Sequence, residues 1–78
     1  MNTADTVSLI ALAPGETGVL RTLAGGRSFV SRLAALGFTP GSKVTVIQNL
    51  GRGALIVLVR DTRVALGRGE AAKVWVQR

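Results

Sequence analysis

The stretch RLAALGFTPGSKVTV, residues 32–46, decides how this chain folds, because a helix-like pattern ends in it and a strand-like one begins. Between the two stand Gly37, Pro40 and Gly41. Such a loop can cradle a phosphate, act as a hinge or punctuate two packed elements, and the flanking residues discriminate among these. Upstream, Phe29, Leu33 and Leu36 share one face at i, i+4 and i+7 with Val30 beside them, which predicts a helix over FVSRLAAL with Ser28 as its N-cap. Gly37 occupies the position where a left-handed residue ends a helix, and Thr39-Pro40-Gly41 sets up a turn. Downstream, KVTVIQN puts Val44 and Val46 on one face with Lys43, Thr45 and Ile47 opposite. The loop therefore reads as a helix stop, a turn and the launch of a strand.

The same device occurs earlier. Leu9 and Leu12 precede Ala13-Pro14-Gly15-Glu16, where proline fits the second position of a type II turn and glycine the third, and TGVLRTL follows as a strand over 17–23. The echo is too short to be an internal repeat. GGRS breaks that strand. Further on, LGRG at 50–53 is a loop, ALIVLV a strand, RDT a tight turn, RVAL its hairpin partner, GRGEAA a single helical or 3-10 turn and KVWV a last strand. Five short strands and one short helix predict one all-β domain over residues 1–78, a small barrel.

Composition removes most chemistry. The 78 residues include no cysteine and no histidine, so disulfides, thiolate metal sites, imidazole acid–base catalysis and nucleophilic triads have no residues to build them. A chain of this size buries only about 60% of its unfolded surface, so its core must be economical. The longest apolar run, ALIVLV, is far short of the roughly 20 residues that a bilayer-crossing helix needs, which predicts no membrane insertion. VSLIALA has the length of a signal-peptide core, yet the residues before it carry Asp5 and no Lys or Arg; it is predicted to be the first folded segment.

Ten basic against four acidic residues give a net charge of +6, which suits an anionic partner. Eight of the ten are Arg, no two adjacent, a distribution that fits a solvated basic surface better than a binding stripe. The loops GGRS, LGRG and GRGE lack the spacing of a phosphate loop or a dinucleotide fingerprint and lie outside any β-α-β unit. At most, Arg27 and Ser28 at the helix start offer a weak anion site. The carboxylates Asp5, Glu16, Asp61 and Glu70 fall in four separate segments, so no catalytic residue, no metal-ligand set and no tightly bound cofactor is predicted. A weak surface metal ion shared between two molecules stays compatible with them, and Glu70 is expected to accept backbone N–H bonds at the EAA turn.

The strand ALIVLV is more informative, since alternation sends Leu55, Val57 and Val59 inward and leaves Ile56 and Leu58 outside. An outer face that apolar needs a cover, supplied either by the helix and N-terminal segment or by another protein. Trp75 poses the same alternative, with Val74 and Val76 on the opposite face of its strand.

With these elements in place the chain resembles the FeoA family, small SH3-like proteins of bacterial ferrous iron uptake. The resemblance covers nearly the whole length. Leu36, Gly37, Pro40 and Gly41 carry a Leu-Gly-x-x-Pro-Gly turn, Leu50 and Gly51 a Leu-Gly loop, and Ala65, Leu66, Glu70, Ala71, Val74 and Val76 the closing series. There are departures: the middle loop of such proteins usually reads Pro-Leu-Gly-Asp-Pro, whereas NLGRG lacks both prolines and puts Arg52 at the acidic position, and the Arg pairs typical after Ala-Leu are thinned to Arg68 alone.

The resemblance implies a small SH3-like five-stranded barrel and a cytoplasmic accessory protein that docks on the membrane ferrous iron permease with its GTP-binding domain. A related module closes some iron-dependent repressors. Docking is expected at Leu50, Gly51 and Arg52 with Ile56, Leu58 or Trp75, and self-association is left open. The alternative is a basic small-barrel nucleic-acid binder, disfavoured because two Phe, one Trp and no Tyr make a stacking platform hard to build.

Overall fold

The computed structural model describes residues 6–78; Asp5 lies outside them. Six antiparallel strands form one curved sheet in the order β1-β6-β2-β3-β4-β5: β1 Thr6–Ser8, β2 Thr17–Leu23, β3 Lys43–Gln48, β4 Leu55–Val59, β5 Thr62–Leu66 and β6 Val74–Gln77. The five expected strands are all present. The added one, β1, is three residues long and is followed by a 3-10 turn over Leu9–Ala11, so the first folded segment is part strand and part turn. Among the described residues no ladder joins β5 to β1, and the barrel stays open along that seam.

The two Pro-Gly turns organise the centre of the sheet. In the first, the Glu16 N–H donates to the Ala13 carbonyl at 3.0 Å with Gly15 at φ 91°; in the second, Ser42 donates to Thr39 at 2.9 Å with Gly41 at φ 92°. Each glycine then reaches the opposite strand. Gly15 N–H donates to Val46 O at 2.7 Å and Gly41 N–H to Leu20 O at 2.8 Å, while the N–H groups of Val46 and Leu20 donate back to Glu16 and Ser42. Two residues thus face one, the arrangement of a glycine bulge. The β2–β3 ladder, Thr17↔Thr45 to Val19↔Lys43, is framed at both ends by the same device.

Helix α1 spans Arg27–Ala35, and its start differs from the sequence expectation. Gly26, not Ser28, is the N-cap: the Val30 N–H donates to the Gly26 carbonyl at 3.0 Å, and no side chain caps the end. The cause is Phe29, whose ring lies so close over Gly25 that a Cβ there would sit 2.3 Å from it. That contact brings the chain into the helix two residues early and leaves Ser28 too deep to cap. At the other end Gly37 adopts φ 105°, donating to Ala34 O, and Phe38 N–H donates to Leu33 O, both at 3.0 Å. This is a Schellman closure, with buried Phe38 and Leu33 supplying its apolar contact. Leu36 becomes the C-cap, 40% exposed, rather than part of the buried face.

The core is apolar throughout, with Leu9, Leu12, Leu20, Leu33, Phe38, Leu55 and Leu66 among its fully buried members. Burial along β4 follows the expected alternation: Leu55, Val57 and Val59 are inside, Ile56 and Leu58 half-buried on the outer face.

Candidate functional site

The loop between β3 and β4 is held by one residue that the sequence reading passed over, Asn49. Its amide donates to the carbonyls of Ile10 at 3.1 Å and Leu12 at 2.9 Å, and its oxygen accepts from the Gly51 N–H at 3.1 Å and from Arg68 Nη1 at 3.2 Å. Two donors and two acceptor positions are the whole capacity of an asparagine side chain, and all are used. The bond to Gly51 is local and marks an Asx-type turn, so Asn two residues before Gly was the available signal. On this footing Gly51 and Gly53 take φ 81° and 72°, and Leu50 projects with 72% of its surface exposed. Arg52 is exposed and has no ion-pair partner among the described residues.

Beside the loop runs the outer face of β3, β4 and β5. Ile56 lies across from Gln48 and Ala65, Leu58 across from Thr45 and Arg63, and Ile47, at a bulge in β3, is 37% exposed. Ile56, whose partner Gln48 directly precedes Asn49, is the strand residue at the loop end, and Leu58 lies two residues further along β4. Trp75 lies apart from both. It pairs with Ser8 and Thr22, on β6, which lies three strand spacings from β4, or about 14 Å along the sheet.

A second feature lies between α1 and β2, an apolar cleft of about 210 Å³ lined by Leu20, Leu23, Val30, Ala34, Phe38 and Pro40 with Arg21 and Thr22 at hand. Helix α2, Arg68–Ala71, packs near the loop through Arg68. Glu70 reaches back to accept the Gly67 N–H at 3.1 Å, as expected, and also pairs with Arg32 of α1. The hydrogen bond from Gly67 and then that from Arg32 hold its carboxyl below the usual carboxylate value. Among the described residues no three carboxylates, histidines or cysteines come together in a metal-binding group, and no helix is long and apolar enough to cross a membrane.

The comparisons with known proteins concern this same span. Residues 7–78 match the FeoA domain model. A Methanocaldococcus jannaschii protein named for Fe(2+) transport, transport protein A, is 33% identical over 63 residues, covering 81% of this chain and 76% of its own. A crystal structure of an iron uptake regulatory protein, FeoA, superposes with a TM-score of 0.86 at 32% identity, over 92% of this chain and 96% of that one. FeoA of Stenotrophomonas maltophilia complexed with zinc, described as a prokaryotic SH3 domain protein, gives 0.79 at 30% identity, over 88% and 87%. A domain match that takes in all of the sheet but the first residue of β1, both turns and the Asn49 loop makes this chain a member of the FeoA family, the ferrous iron transport protein A group with an SH3-like fold.

Proposed function

We propose that this chain is a non-enzymatic, cytoplasmic accessory protein of ferrous iron uptake that acts by docking on the GTP-binding, cytoplasmic part of a ferrous iron permease. The observation that carries the docking reading is Leu50. A large apolar side chain, 72% exposed, is carried on a loop whose backbone four hydrogen bonds at Asn49 hold in place. Pre-ordering lowers the entropic cost of association, burial of the exposed Leu50 side chain supplies a hydrophobic gain, and Arg52 beside it adds a rim charge that acts on the association rate. Ile56 and Leu58 extend the same face. Membership in the FeoA family supports the iron transport context.

The test is iron uptake and permease pull-down with Leu50→Ala and Arg52→Glu variants that stay folded by circular dichroism. Truncating the anchor should cost about 1 kcal/mol or more of binding, while reversing the rim charge should mainly slow association. Normal uptake and capture by both variants would move the docking surface elsewhere, the α1 face around Ser31 and Arg32 first. The reading also entails no GTPase activity and no tight ferrous-ion site in the monomer. Anaerobic calorimetric titration checks the metal half, and a stoichiometric site of micromolar affinity would overturn it.

A further inference from the structure

Among the described residues strand β5 pairs with β4 on one side and with no strand on the other. The two-residue Arg60-Asp61 turn, with both residues at positive φ (49° and 62°), sets the parity of its hydrogen bonds. Val59 and Thr62 flank that turn as a bonded pair, so antiparallel alternation directs the N–H and C=O groups of Thr62, Val64 and Leu66 toward β4 and those of Arg63 and Ala65 away from the sheet. Among the described residues no hydrogen bond reaches these four outward groups. The edge is fixed as well as open, since Val64 and Leu66 are anchored in the core while Arg63 and Ala65 are exposed.

We propose that the β5 edge accepts an extended acidic segment of a partner protein as an added strand. The backbone groups of Arg63 and Ala65 supply donor–acceptor pairs at two-residue spacing, the repeat of an incoming strand. The side chains on the outer face decide its chemistry. Arg63 lies there opposite Leu58, and Ala65 opposite Ile56, so a strand laid along the edge sets alternate side chains beside a guanidinium and next to apolar surface. A carboxylate beside Arg63 and a β-branched or aliphatic residue near Ala65 satisfy both. A second copy of this chain is the wrong occupant: pairing β5 with β5 brings two chains of charge +6 together, and the register that sets Arg63 against Arg63 apposes two guanidinium groups. An edge cation of this kind protects against self-pairing while admitting a strand of opposite sign.

This inference deepens the docking proposal and rests on it for the partner's being a protein, but it names a different surface from Leu50. The probe is a labelled synthetic peptide of repeat Glu-Thr-Val-Thr, which puts glutamate and valine two residues apart on one face of a strand, titrated against the full chain, with amide hydrogen exchange of the protein as the site readout. The expected result is saturable binding that weakens with salt, new protection at the Arg63 and Ala65 amides, and at least a tenfold loss of affinity when lysine replaces glutamate. Ala65→Pro removes an outward N–H without touching the β4 ladder and should lose binding tenfold or more; Arg63→Glu should reverse the preference toward the lysine peptide. If Ala65→Pro does not fold, the Arg63→Glu reversal and the protection pattern of the parent decide. Protection elsewhere, equal binding of both peptides, or concentration-dependent dimerisation through this edge would overturn the proposal. Peptide binding with unimpaired uptake in Leu50→Ala would remove the loop and keep the edge, and the opposite pair of results would keep the loop and remove the edge.

Discussion

Two segments of this chain, 37–41 and 50–53, use glycine in the same backbone region and for different ends. Gly37 and Gly41 adopt φ 105° and 92°, Gly51 and Gly53 81° and 72°. The difference lies in the apolar residue each segment carries. Phe38 is wholly buried against the Schellman closure of α1, whereas Leu50 stands 72% exposed on a loop that Asn49 pins from below. Positive φ is therefore a geometric device without a purpose of its own. What the adjoining side chain does with the bend separates a structural corner from a presented anchor.

The comparison breaks most visibly at those two side chains. Phe38→Ala should destabilise by about 3 to 5 kcal/mol, because the ring's contacts are lost and a cavity replaces it. For a small domain that is a large part of its total stability, and chemical denaturation would show it directly. A loss below about 1 kcal/mol would mean that Phe38 is not the keystone of the corner. Next in size are Gly37→Val and Gly41→Val. Both force a β-branched residue to positive φ, at about 1 to 3 kcal/mol. Gly37 should be the worse of the two, since its new Cβ also meets Arg60 Cδ at 2.9 Å while Gly41 has nothing within 4 Å. If both variants melt within a degree of the parent, the corner does not depend on its glycines. Leu50→Ala, by contrast, should change stability by less than about 0.5 kcal/mol while weakening partner capture, the reverse of the Phe38 result.

How far the sequence alone reaches follows the same division. The helix stop at Gly37, the Pro-Gly turns, the inward triad of β4 and the Arg60-Asp61 hairpin were legible because each rests on local periodicity or on turn chemistry. The helix start was not: Ser28 is the better capping residue by type, but Phe29 stacking on Gly25 fixed the entry, and that contact has no periodic signature. Strand β1 was missed because three residues carry no alternation to detect. Its pairing depends on β6, almost seventy residues away. Of the expected docking residues Ile56 lies at the loop end of β4, Leu58 two residues further along it, and Trp75 on a different part of the sheet, because strand order, and not alternation within a strand, decides which outward residues are neighbours. Of the bonds made by Asn49 only the one from Gly51 left a local signal, since its other partners at 10, 12 and 68 are distant in the chain.

The smallest effect tests whether the two segments share a footing. Glu70 caps α2 and pairs with Arg32 at the end of α1, and Arg68 of the same short helix donates to Asn49 under the loop. Its folded-state pKa lies below the ordinary carboxylate value, so the stabilisation is present above that ordinary value and is lost as the pH falls through the lowered one. The pair is partly exposed and therefore screened, and the whole contribution should stay under about 1 kcal/mol. Glu70→Gln should be slightly less stable than the parent at neutral pH, and the gap should close on acidification, because the parent loses its charged cap while the variant has none to lose. The site of the loosening matters more than its size. Since α2 supports Asn49 through Arg68, the amides of 49–53 should exchange faster in Glu70→Gln at neutral pH, and those of 37–41, closed by the α1 backbone itself, should not. Equal acceleration in both segments would show one cooperative unit, with the presented loop no more independent of the core than the buried corner.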